Sequence, residues 1–310
     1  MHPEWPFSTF HHIHIVVPDL EKTKRFLGGI GLPLQNYTHH IAGAFTTLEG
    51  ITQEEFDELG YAFADIGGVH LQFMSPGALD SPHKRFIEAN GGPRLFSAGF
   101  VVSDVDAAEQ ALVDRGLSIL IKGRHENGWG FTYFDTIART GFNICVRQSP
   151  KGKHSHEPIG KGEKIFSEFQ HVCGYVPNLS ATRASLTEIG LSTEGYNHRH
   201  EGDFKLLQGL SREAFWNLGY EHVMVGRVHF QIMSPGIEPS PQKSYVDAYG
   251  PRAYSIGFYV EDTDDAERQM IDRGLTVAWK GRHQNGWGFS YFDTFKDLGV
   301  MICLRQSPKG

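Results

Sequence analysis

The segment Gly123-Arg124-His125-Glu126-Asn127-Gly128-Trp129-Gly130-Phe131-Thr132-Tyr133-Phe134-Asp135-Thr136 returns, with two residues changed, as Gly281-Arg282-His283-Gln284-Asn285-Gly286-Trp287-Gly288-Phe289-Ser290-Tyr291-Phe292-Asp293-Thr294. The chain is a tandem duplication. His12 matches His171 and Gln72 matches Gln231 at one constant spacing. One residue is lost past Ser81-Pro82 and Ser240-Pro241, and Ser97/Ser255, His125/His283 and Cys145/Cys303 keep the shorter spacing to the end. Two units of about 150 residues follow, each long enough to bury a core of its own and too long to be solenoid repeats. The expected boundaries are 1–150 and 166–310. The Gly/Lys/His/Pro-rich stretch 151–165, which has no hydrophobic period, is the expected linker.

Composition narrows the partners. A net charge of −7 without a Lys/Arg block argues against nucleic acid, and 3 cysteines in 310 residues argue against a disulfide framework. No run of about 18 apolar residues is present, and Met1-His2-Pro3-Glu4-Trp5-Pro6 has no signal-peptide pattern, so the expected setting is the cytoplasm, away from membranes. A small molecule is the expected partner, with the two halves paired as a pseudo-dimer. Of the 17 histidines, His2, His154 and His156 stand in polar or terminal stretches and read as solvated surface.

Each half reads as a strand, a helix and three strands, then the same order again. Phe10 to Val17 is β-branched strand. Pro18-Asp19 ends it, and Asp19 is an N-cap for a helix near Leu20–Leu27. Ala98–Val102, Asp104 and Gly116 mark a second strand, helix cap and helix stop, repeated as Ile256–Val260, Asp262 and Gly274. Thr52 and Glu55 match a capping box for a short helix, either a lid or plain packing, and Ser211 keeps the cap without the Glu.

The words His12-Ile13-His14-Ile15-Val16-Val17-Pro18-Asp19-Leu20, Gln72-Phe73-Met74-Ser75-Pro76, Gly99-Phe100-Val101-Val102-Ser103-Asp104-Val105-Asp106 and Tyr133-Phe134-Asp135-Thr136 resemble the vicinal oxygen chelate superfamily, which includes glyoxalase I, methylmalonyl-CoA epimerase, extradiol dioxygenases and bleomycin-resistance proteins. The wording is most similar to the epimerase-like branch. The resemblance covers nearly the whole chain and implies an α+β fold in which paired βαβββ modules form two eight-stranded, cup-shaped mixed sheets, with helices on the outer faces and a site inside each cup.

Strand alternation locates the cup face independently, because residues i and i+2 share a face and the helix-covered face is apolar. Ile13, Ile15 and Val17 leave His12, His14 and Val16 on the other face. Val69, Leu71 and Phe73 leave His70, Gln72 and Met74, and Ala98, Phe100 and Val102 leave Ser97, Gly99 and Val101. Phe142, Ile144 and Val146 leave Asn143, Cys145 and Arg147. The second half repeats the pattern with His171, Cys173, His229, Gln231, Ser255, Gly257, Cys303 and Arg305.

In the epimerase-like branch a divalent metal is held by His, Gln or Glu, His and Glu. The resemblance carries these to His12, Gln72, Ser97 and Cys145, and to His171, Gln231, Ser255 and Cys303. A thiol and a hydroxyl in place of carboxylate and imidazole suit a hard ion poorly, so the expected site is altered or empty of metal. Zinc with Cys145, His12 and either His70 or Gln72 is the exception, and one Zn, Fe, Mn, Co or Ni ion stays open beside a metal-free site. Imidazole titrates near neutrality, which makes His12 and His171 candidate bases or proton donors. Cys145 and Cys303 are candidates too if Arg147 or Arg305 depresses their pKa, or else small buried fillers. His70 and His229 orient substrate or are satisfied core histidines. Arg124, His125 and Trp129, with Arg282, His283 and Trp287, clamp and stack a ligand at the rim, or else the tryptophans plug the core. Two functions result: an isomerase, epimerase or lyase moving a proton next to a carbonyl of a hydrophobic or aromatic substrate, or a metal-free sequestering protein of the bleomycin-resistance type. A third, extradiol-type ring cleavage, needs a carboxylate that the matching positions lack.

Overall fold

The computed structural model describes residues 6–7, 9–37, 43–149, 163–195 and 203–307. The expected linker lies outside the described residues except for 163–165, as do His2, His154 and His156. The first half runs β1 (Thr9–Val16), α1 (Leu20–Gly29), β2 (Gln35–Tyr37), β3 (Phe45–Glu49), α2 (Gln53–Asp57), β4 (Gly60–Ile66), β5 (Val69–Ser75), α3 (Pro82–Asn90), β6 (Arg94–Val101), α4 (Val105–Val113), β7 (Ile119–His125), β8 (Gly130–Phe134), α5 (Ile137–Thr140) and β9 (Asn143–Gln148). The second half repeats it as β10 (Phe169–Tyr175), α6 (Leu179–Glu188), β11 (Glu194–Gly195), β12 (Phe204–Gln208), α7 (Arg212–Trp216), β13 (Gly219–Val225), β14 (Val228–Ser234), α8 (Pro241–Tyr249), β15 (Arg252–Tyr259), α9 (Thr263–Asp272), β16 (Val277–His283), β17 (Gly288–Phe292), α10 (Phe295–Leu298) and β18 (Met301–Gln306).

Each half forms a mixed sheet of nine strands, the first in the order β2-β4-β5-β1-β6-β9-β8-β7-β3. The expected eight become nine because the stretch between the first two helices is split. Its first part, β2, pairs with β4 at one edge, and its second, β3, crosses to pair with β7 at the other. The local signals that end strands and begin helices act as their chemistry requires. Asp19 accepts from the Lys22 N–H, and Thr52 and Glu55 make both bonds of a capping box. Ser211 keeps only the side-chain cap.

The apolar strand faces of both halves meet in one core. Ile13, Leu71, Phe100 and Ile144 belong to the same buried cluster as Val172, Phe230, Ile256 and Ile302. Phe230 reaches across to Phe100 at 6.1 Å and Phe142 at 5.1 Å. A fully buried side chain of this kind contributes roughly 2–3 kcal/mol, so the halves stabilise one another instead of closing separate cores. Gly141 and Gly299, both at positive φ, permit the closest approaches: a Cβ on Gly141 would strike the Arg252 backbone, and one on Gly299 the Pro93 carbonyl.

Candidate active site

A β-bulge between Phe10 and His12 breaks the alternation of β1. Phe10 thereby joins the shared core, while His12 turns into the cup and the His11 ring lies 4.6 Å from that of His70. Register then assembles the floor. His12 stands beside His70 on β5 and Gly99 on β6, and His14 stands beside Gln72 and Ser97. Ser97 neighbours Asn143, and Gly99 neighbours Cys145, which pairs in turn with Tyr133 on β8. Gly99 is required for space, since a Cβ there would overlap the His12 ring.

Around this floor the walls are aromatic. His14 lies 5.6 Å from Phe96, 6.0 Å from His83 of α3, 6.2 Å from Tyr133 and 6.4 Å from Tyr61, ring centre to ring centre. A second bulge, between His14 and Ile15, places Phe96 inside the cup. Helix α2 packs Phe56 parallel to Phe131 at 6.2 Å, so it contributes wall, in agreement with the packing reading.

Several polar atoms in this cup are buried with no hydrogen-bond partner among the described residues. His12 Nδ1 meets His11 Nδ1 at 3.0 Å, but His12 Nε2, Ser97 Oγ, both ring nitrogens of His83 and both amide atoms of Asn143 have none. Leaving one such group unsatisfied costs about 1–3 kcal/mol, so the cluster makes this floor the candidate site. Burial, then the neighbouring His11 and Arg147, hold His12 well below the usual imidazole range. His83 is pushed down to about 3 by burial. Both rings are neutral at pH 7. Cys145 goes the other way: burial pushes its thiol up to about 12, against the opposing pull of Arg147 and a Tyr133 hydrogen bond. The thiolate expected from an arginine neighbour does not form, because desolvation exceeds the arginine's effect.

The second cup has the same skeleton and a different filling. His171 contacts Gln170 Oε1 through Nδ1 and Ser255 Oγ at 3.2 Å through Nε2, so the imidazole and hydroxyl left open in the first cup are bonded to each other here. Its pKa is likewise held well down by burial and Arg305. His229 falls to about 4, chiefly by burial. Val16, Phe96, Ile121 and Asn143 are replaced by Tyr175, Tyr254, Trp279 and Met301, which pack with Cys173 and Cys303 in one apolar cluster. Trp279 stacks on Tyr291 at 4.0 Å and donates to the Tyr254 hydroxyl. Cys303 also remains a thiol, pushed up to about 12 by burial. Gln231, Tyr220 and Tyr291 are buried, whereas Gln72, Tyr61 and Tyr133 of the first cup are partly open.

The repeated Gly-Arg-His segment proves structural at its arginine. Arg124 turns to the helix side, donating to Asp106 at 2.6 Å, Glu109 at 2.7 Å and the Phe131 carbonyl at 2.8 Å, and Arg282 does the same with Asp264, Glu267 and Phe289. Neither guanidinium reaches the cup rim. Trp129 and Trp287 are buried in the wall clusters, each backbone N–H held by an Asn side chain two residues before, and His125 and His283 pack beside them. Arg305 lies over the Trp287 ring at 5.0 Å. His14, His83, Tyr61, Tyr133 and Asn143 are additions to the expected set. Alternation had put His14 and Asn143 on the cup face, but nothing local distinguishes His83, which enters from a helix.

The ligand set implied by the resemblance does not fit a family-type metal. Among the described residues no three His, Cys, Asp or Glu side chains converge to hold an ion, Cys145 keeps its proton, and Ser97 offers only a hydroxyl.

Residues 9–146 match the family model of the Glyoxalase/Bleomycin resistance protein/Dioxygenase superfamily. No curated protein matches the chain. Among solved structures, the chain is similar to a variant of 4-hydroxymandelate synthase from Streptomyces coelicolor, at 13% identity and a TM-score of 0.65, covering 98% of this chain and 94% of that one. It is also similar to a xylose isomerase-like TIM barrel/4-hydroxyphenylpyruvate dioxygenase fusion protein, at 11% identity and a TM-score of 0.58, covering 98% of this chain and 50% of the other. At such identities the likeness shows the fold alone.

Proposed function

We propose, for a chain whose first half belongs to the glyoxalase/bleomycin resistance/dioxygenase superfamily, that the first cup alone binds a small aromatic oxo acid and moves a proton next to its carbonyl. The observation that carries this reading is the open pair, His12 Nε2 and Ser97 Oγ, set against the closed pair His171–Ser255. Neutral His12 accepts the proton as the C–H bond breaks, and the electron pair moves into an enolate whose oxygen charge is offset by the Arg147 guanidinium. Return of the proton to the same carbon gives exchange or isomerisation. Ser97, Asn143 and His83 orient the substrate by hydrogen bonds, and Phe96, Phe131 and Tyr133 take its ring.

Arg147 is one of the charges that lower the basicity of His12. A bound carboxylate beside that arginine offsets it, so binding itself makes His12 a better base. The printed names of the solved neighbours refer to aryl acids, which suits an aromatic cup with an internal cation. Sequestration without turnover is the second reading, favoured by the weak basicity of His12.

The test uses 4-hydroxyphenylpyruvate in D2O, with deuterium uptake next to the carbonyl followed by NMR against the uncatalysed rate. Catalysed uptake supports proton transfer. Saturable binding without uptake leaves sequestration, and absence of both ends the oxo-acid assignment.

A further inference from the structure

Two arginines meet where the halves join. Arg94 opens β6 and Arg252 opens β15, at matching places in the duplication, and they are only 4% and 8% exposed. Arg94 lies over the Phe86 ring at 5.7 Å, and Arg252 over the Tyr249 ring at 4.5 Å. Their polar contacts cross the junction: Arg94 Nη2 reaches the Pro251 carbonyl at 3.4 Å, and Arg252 Nη2 reaches the Asn90 carbonyl at 3.4 Å. Asn90 Oδ1 accepts from both guanidiniums. Every acceptor is neutral.

This pairing differs from that of the repeated Arg124 and Arg282. Arg124 and Arg282 each hold two carboxylates, while neither Arg94 nor Arg252 makes an ion pair among the described residues. Buried charges are ordinarily paired, because withdrawing a cation from water costs several kcal/mol that only an opposite charge returns. Here two like charges share one amide oxygen, and the Arg94 Nε–H is buried with no acceptor among the described residues. Burial and then Arg252 bring the Arg94 guanidinium down to about 10, the response expected of a cation lacking a counter-ion. The turns that lead into the two arginines, Gly91-Gly92 and Gly250-Pro251, are partly exposed.

We propose that Arg94 and Arg252 form an oxyanion site at the junction of the two halves, taking one phosphate group whose oxygens receive N–H donors from both guanidiniums. Planar guanidinium forks match tetrahedral oxyanions bidentately, and one doubly charged group neutralises both arginines at once. Because the anion touches both halves, its binding also clamps them together.

Calorimetric titration of the whole chain, in chloride buffer at fixed ionic strength, tests this with two probes: inorganic phosphate and glycerol 3-phosphate. Saturable binding of inorganic phosphate alone identifies the free ion as the ligand, and binding of both identifies the phosphate group of an ester. Arg94→Met and Arg252→Met are each expected to weaken binding at least tenfold. Asn90→Asp supplies an internal carboxylate between the arginines, and is expected to raise the melting temperature in chloride while abolishing phosphate binding. No binding to the native chain, or phosphate affinity unchanged in Asn90→Asp, overturns the proposal.

Discussion

The two cups began as one blueprint and now answer opposite demands. In the second, Tyr175, Trp279 and Met301 stand where the first has Val16, Ile121 and Asn143, and the histidine and serine of the floor bond to each other. In the first, smaller side chains leave His12, Ser97, His83 and Asn143 with buried polar atoms and nothing to bond. The second cup has orphans of its own among the described residues, at Tyr175, Gln231 and Gln242, each costing about 1–3 kcal/mol, so the contrast rests on its closed His171–Ser255 bond and its larger side chains. The difference teaches that retention of His, Gln, Ser and Cys in both halves does not by itself mean two sites. The matching histidine has a ring nitrogen without a partner among the described residues in one half and is bonded to serine in the other.

The sharpest way to break this contrast is to remove each histidine separately. His12→Ala is expected to lower deuterium uptake by 4-hydroxyphenylpyruvate at least a hundredfold, the usual worth of a general base, whereas His171→Ala stays within a few-fold of the native rate. Equal losses in the two variants would make the cups equivalent and end the one-cup reading.

Next in size is an exchange of the fillings. Ile121→Trp places the second cup's plug in the first and is expected to abolish ligand binding, while Trp279→Ile leaves a cavity and destabilises the chain by roughly 2–4 kcal/mol in urea titrations. If Trp279→Ile cost nothing, the second cup would not be the packed one.

Much of this was legible in the residues. Alternation sorted Ile13, Leu71 and Phe100 from His12, Gln72 and Ser97, because period two is imposed by strand geometry whatever the tertiary partner. Alternation could not show that the two apolar faces would meet in a single core, since a strand facing helices and one facing another sheet read alike. Nor could it show the bulges that turn Phe96 into the cup. The most visible word of the repeat, around Arg124, reads in the sequence either as a ligand clamp or as structure. Its carboxylate partners Asp106 and Glu109 lie a helix away, and only the fold brings them to it. His83 stayed hidden for the same reason.

His83 provides a prediction of moderate size, in acid. Its folded pKa, about 3, is below the ordinary 6.5, so the unfolded chain binds the proton more readily. Stability from this group is complete above pH 6.5 and is lost as pH falls toward 3, by about 1.4 kcal/mol per pH unit. The second cup has Gln242 there, which does not titrate. His83→Leu is therefore expected to flatten the fall of urea midpoint between pH 6 and 5, and to stabilise the empty protein by about 1–2 kcal/mol at pH 7 by removing unbonded nitrogens. A destabilised variant with the native pH slope would show that His83 is bonded in solution.

The smallest effect belongs to the cysteines, and here the cups should agree. Cys145 and Cys303 are both buried and both pushed up to about 12, so at pH 8 each is a thiol with only about one part in ten thousand ionised. Native protein is expected to resist a disulfide reagent at pH 8 and to titrate fully only once unfolded. Cys145→Ala removes a small buried group that carries no charge, and exchange activity is expected to stay within about threefold of native if His12 is the base. Fast labelling of Cys145 that stops when 4-hydroxyphenylpyruvate is added would instead put a thiolate at the centre of the first cup. It would transfer the role of base from imidazole to sulfur, because a cysteine ionised in so dry a place needs a cation close by to offset the cost of desolvation.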